Sequence, residues 1–93
     1  MNESINQISQ QMGQVFLSLG FQKTIINDKI NYEYKGSYRR IDYNSSIGLI
    51  IEFAETLEEA EKNVYEDDET YPLSLGDELF DFFKKDVIRY MLD

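Results

Sequence analysis

The chain has no cysteine, no histidine and no tryptophan, and only one proline in 93 residues. Without cysteine there are no disulfide staples, no thiolate catalysis and no cysteine-type zinc site. Without histidine the commonest general base and the commonest metal ligand are missing. No apolar run approaches the roughly 20 residues of a membrane helix, and no signal-peptide pattern opens the sequence. These absences point away from most enzymes and toward a small cytoplasmic binding protein. At this length the chain forms one domain, residues 1–93, burying roughly 60–65% of its unfolded surface.

Charge is what the sequence has in excess. Eighteen acids stand against nine bases, a net charge of -9. Residues 1–51 hold four acids and five bases, whereas residues 52–93 hold fourteen acids and four bases. The second part therefore carries the whole negative field. Such a field repels nucleic acid and anionic membranes and speeds encounter with cationic proteins. Plain solubility explains the charge equally well.

The ends read as helices. Ile5, Ile8, Met12, Val15, Phe16 and Leu19 form one apolar stripe. Ser4 and Gln7 fit a capping box, and Gly20 followed by Phe21 fits a left-handed helix end. Gly13, costly inside a helix, reads as a mark of close approach to a sheet, the alternative being a purely neutral glycine. At the other end, Ser74 with Asp77 reads as a cap. Leu75, Leu79, Phe82, Phe83, Val87, Tyr90 and Met91 form the stripe that follows, with Asp81 and Lys85 as an i,i+4 pair.

Between them lie strand patterns. Ile30, Tyr32 and Tyr34 alternate with polar residues, turns fall at Asn27-Asp28, Lys35-Gly36-Ser37 and Asn44-Ser45-Ser46, and Ile47 to Phe53 is the strongest strand. Residues 57–65 support two readings. Thr56 and Glu59 make a capping box before a short helix, with Leu57, Ala60 and Val64 at helical spacing. The rival is a hairpin: a strand over Glu61 to Glu66, a turn at Asp67-Asp68 and a return strand from Glu69 to Leu73. The fold class is α+β: an N-terminal helix, an antiparallel sheet of three to five strands and a C-terminal helix, both helices on one sheet face.

No serine has a base to activate it, so no catalytic residue and no cofactor are assigned. The run Glu66, Asp67, Asp68, Glu69 is the densest in carboxylates, but lacks the ligand order of a calcium loop. It reads as a solvated turn or as an acidic contact surface extended by Glu58 and Glu61, with Glu55 and Glu59 nearby. Tyr65 and Tyr71 flank the run and are candidate anchors, because tyrosine brings contact area at low entropic cost. Arg39-Arg40 is too small a patch for nucleic acid and pairs with carboxylates on neighbouring strands or rims an interface.

Residues 38–92 resemble the small immunity proteins of bacterial contact-dependent inhibition and polymorphic toxin systems, the TriTu-type group in particular. The likeness lies in Tyr38-Arg39-Arg40-Ile41-Asp42, in Gly48-Leu49-Ile50-Ile51-Glu52-Phe53, in Val64-Tyr65-Glu66-Asp67, and in Tyr71-Pro72-Leu73-Ser74 before Glu78-Leu79. Phe53 stands where the group usually has tryptophan, and Thr56 where a glycine is expected. The resemblance implies a helix–sheet–helix fold that blocks a cognate toxin, often a nuclease with a cationic cleft. The alternatives are an adaptor or regulatory protein, phage-borne or DNA-mimicking, with another protein partner, and a small metal-binding domain or enzyme.

Overall fold

The computed structural model describes residues 3–93. Helix α1 (Glu3–Ser18) buries Ile5, Met12 and Phe16, the centre of the expected stripe. Its end is a Schellman turn. The Gly20 N–H donates to the Leu17 carbonyl and the Phe21 N–H to the Phe16 carbonyl, with Gly20 at φ 98°. Phe21 then packs on Phe16 at 4.6 Å between ring centroids. Ser4 lies inside α1, so it is not the cap its spacing suggested.

Five strands follow: β1 (Gln22–Ile26), β2 (Lys29–Tyr34), β3 (Ser37–Asn44), β4 (Gly48–Ala54) and β5 (Glu66–Tyr71). They form an antiparallel meander in the order β1-β2-β3-β4-β5. Asn27 and Asp28 both have positive φ, as do Lys35 and Gly36, which gives the two-residue turns that match strand twist. The pairing of β2 with β3 ends at Tyr32 opposite Arg39, so the two strands part beyond that point.

Helix α2 (Leu57–Glu61) interrupts the meander between β4 and β5. Thr56 caps it by accepting the Glu59 N–H at 3.2 Å. The short-helix reading of this region therefore holds for Leu57 to Glu61, but the helix ends there and leaves Val64 and Tyr65 outside it. Its rival holds only in its return strand, which overlaps β5 over Glu69 to Tyr71: no strand covers Glu61 to Tyr65, and Asp67-Asp68 lies inside β5 rather than at a turn. The acidic run is therefore extended. A register shift between Ile51 and Glu52 absorbs the extra residue of β5.

After a 3-10 turn over Leu73–Leu75, helix α3 (Glu78–Asp86) continues through a π-helical segment, Val87–Met91. Ser74 sits within the 3-10 turn and Asp77 makes no side-chain cap, because Gly76 at φ 59° separates the turn from the helix. Leu79, Phe83, Val87 and Met91 are buried as expected. Phe82 and Tyr90 are not: they are 46% and 55% exposed. The expected Asp81–Lys85 pair is not among the ion pairs of the described residues.

Both terminal helices pack on one face of the sheet, over Tyr32, Leu49, Ile51 and Tyr71. Phe83 meets Phe16 and Tyr71 edge-on, at 5.0 and 5.5 Å between ring centroids. On the opposite face a smaller cluster gathers Ile26, Ala54 and Ala60 beneath α2. The result is the expected α+β arrangement, with the short helix α2 on the far face.

Candidate functional site

Strand β5 is one edge of the sheet, paired with β4 alone. Glu66, Asp67 and Asp68 are exposed and Glu69 is half-buried. Period-two alternation sends these carboxylates to different sides. Glu66 stands opposite Phe53 and Glu69 opposite Ile51, on the helix-covered face, while Asp67 stands opposite Glu52 on the other. Asp68 is paired with Arg39, whose Nε lies 3.1 Å from Oδ2. Among the described residues no ion pair engages Glu66, Asp67 or Glu69.

The burial of Glu69 has an electrostatic consequence. Loss of water raises its carboxyl above the ordinary value, and the nearby carboxylates of Asp86 and Asp68 raise it further. Asp86 comes from α3 and accepts the Tyr71 hydroxyl at 2.6 Å. Burial, followed by that bond to a carboxylate, pushes the Tyr71 hydroxyl strongly upward. Asp86 was not a candidate from sequence. Its signal was its position one turn beyond Phe82, beside the buried stripe of Leu79 and Phe83.

The other candidates divide between surface and interior. Glu58 and Glu61 lie on α2, on the far face, and both are exposed. Glu58 is tied to Lys62 at 2.8 Å, while the Glu61 carbonyl accepts the Asn27 side chain at 2.9 Å. Tyr71 is 3% exposed and belongs to the core, so it offers no surface anchor. Tyr65 is half-buried: its ring lies 3.7 Å from the Arg40 guanidinium and its hydroxyl donates to Oδ1 of buried Asn31. Arg40 completes that network with Glu52 and Asn63, both at 2.8 Å. Both arginines therefore pair with carboxylates inside the sheet, as one of their two expected roles required.

Two clefts open beside these elements. One, of about 430 Å³, lies between α1 and the start of α3, lined by Ile8, Tyr43, Leu73 and Phe80. The other, of about 360 Å³, lies where β2 and β3 part, lined by Lys29, Arg40, Asp42 and Glu52. Its charges are of both signs. Among the described residues no group of three or more carboxylates converges as a metal cage, and no helix is long and apolar enough to cross a membrane.

These features define a helix–sheet–helix α+β protein whose antiparallel meander ends in an acidic edge strand. Comparison with known protein families, with curated proteins and with solved structures finds no match to the chain.

Proposed function

We propose that the chain is a binding protein that covers a basic surface of a partner protein with its β5 edge, as the resemblance to toxin-neutralising immunity proteins implies. One observation supports this reading: Glu66 and Asp67 are exposed on an open sheet edge beside half-buried Glu69, and among the described residues no ion pair engages any of the three. Carboxylates held on a strand keep fixed spacing, so the field they present is preorganised. Glu58 and Glu61 extend it around the sheet on α2. Such a surface steers a cationic partner into contact and discriminates against anionic ones. If the partner is a nuclease toxin, these carboxylates stand where substrate phosphates would bind. Tyr65, fixed by Arg40 and Asn31, supplies a rigid aromatic shoulder.

The test is an NMR titration with an oligoarginine peptide as a generic cationic probe. Shift changes are expected at residues 66–69 and on α2. They should weaken about tenfold when ionic strength rises from about 20 to about 300 mM, and in the double variant Glu66→Lys, Asp67→Lys. Changes spread evenly over the surface, or insensitive to charge reversal, overturn the proposal.

A further inference from the structure

The sheet has a second edge, and its character is the opposite of β5. Strand β1 reads Gln22, Lys23, Thr24, Ile25, Ile26, with one charge and three β-branched residues in succession. It pairs with β2 alone. Ile25 is 59% exposed, and its cross-strand neighbour Ile30 is 44% exposed. Natural edges are usually guarded by charge, bulges or covering segments, because unpaired backbone groups template the addition of another strand. The β5 edge is guarded by four consecutive carboxylates and an irregular register. The β1 edge has only Lys23.

We propose that β1 is the interface of a symmetric dimer, pairing antiparallel with β1 of a second copy about a two-fold axis at Thr24. Three observations select a second copy as occupant. First, the strand is self-complementary in that register. Thr24 meets Thr24 of the other copy, Lys23 meets Ile25, and Gln22 meets Ile26, so no like charges stand opposite one another. Second, Ile25 and Ile30 lie on one face, so the stem of the second copy's Lys23 covers the exposed pair. Third, the charge distribution favours this edge. Residues 1–51, which build α1 and β1 to β3, are nearly neutral, whereas the acids cluster in residues 52–93. Strands about 4.8 Å apart place the two β5 edges of a ten-stranded sheet roughly 43 Å from each other. That distance is several times the Debye length of about 8 Å at physiological salt. Joining the β5 edges would instead oppose carboxylates directly.

Five residues of strand per copy make a small interface, so the dimer is weak and reversible. Sedimentation equilibrium tests it. The apparent mass should rise from 11.0 kDa toward twice that value between about 10 µM and about 1 mM protein. Ile25→Lys should shift the dimerisation constant at least about tenfold while leaving the melting temperature unchanged, since Ile25 is exposed. Thr24→Lys and Thr24→Glu should each be monomeric alone, and an equimolar mixture should recover the dimer. A wild-type chain that stays monomeric throughout, a dimer indifferent to Ile25→Lys, or a mixture that fails to associate overturns the proposal. None of these outcomes bears on cation binding at β5, which lies on the opposite edge.

Discussion

Gly13 shows how one missing carbon sets the distance between layers. It sits in α1 where an added Cβ would land on the Tyr32 hydroxyl, and Tyr32 is itself stacked on Phe16 at 5.1 Å. Alanine at this position gains about 1 kcal/mol of helix propensity. Against that, overpacking a core costs about 1–3 kcal/mol. The Tyr32 ring is buried and rigid, so it cannot swing clear as a flexible chain would. Gly13→Ala is therefore expected to lose up to about 2 kcal/mol in urea denaturation, and adding Tyr32→Phe should recover part of the loss. A stabilised Gly13→Ala would refute the close approach. The glycine was readable from sequence as a misfit in a helix; the residue it faces was not.

At the scale of elements, β5 and α3 are joined through carboxylates. Glu69 titrates above its ordinary value of 4.5, from burial first and then from Asp86 and Asp68. Over the window between the unfolded and folded values, the folded state retains a proton that the unfolded chain has released. The resulting stability is fully present below pH 4.5 and is lost as pH rises through the raised value. Glu69→Gln removes this titration. The stability difference, wild type minus Glu69→Gln, should fall from pH 4.5 toward neutrality, read from urea midpoints at each pH. A difference that rises with pH would overturn the assignment.

The same scale explains which elements were legible. The α1 stripe, its glycine end and the hairpin turns are local patterns, and each is where spacing placed it. Residues 57–71 were not decided locally. Val64 and Tyr65 suit a strand, yet they lie in the connection after α2, because Arg40 takes both the Tyr65 ring and the Asn63 side chain. Those contacts span more than twenty residues. Ser74 differs for a local reason: its spacing suits a cap, but Gly76, two residues on, separates the 3-10 turn from the helix, which starts at Glu78.

Across the whole molecule, a net charge of -9 acts on a body with extents of 34 × 25 × 18 Å. Like charges this close repel, and the repulsion opposes the folded state. Raising sodium chloride from about 10 mM to about 0.3 M shortens the Debye length from roughly 30 Å to roughly 6 Å. The melting temperature is expected to rise, because Arg39–Asp68 and Arg40–Glu52 are partly buried and screened less than the free carboxylates. A fall would show that ion pairs outweigh self-repulsion. The sequence by itself determined the α+β class, the helical ends, the hairpin turns and the concentration of acid beyond residue 51, since all of these depend on spacing between near neighbours. Tertiary structure decided that the acidic run is an edge strand, that Tyr71 is core, and that Phe82 and Tyr90 are exposed. Each of these depends on which distant element covers a residue, and burial is a property of the assembled layers rather than of the chain.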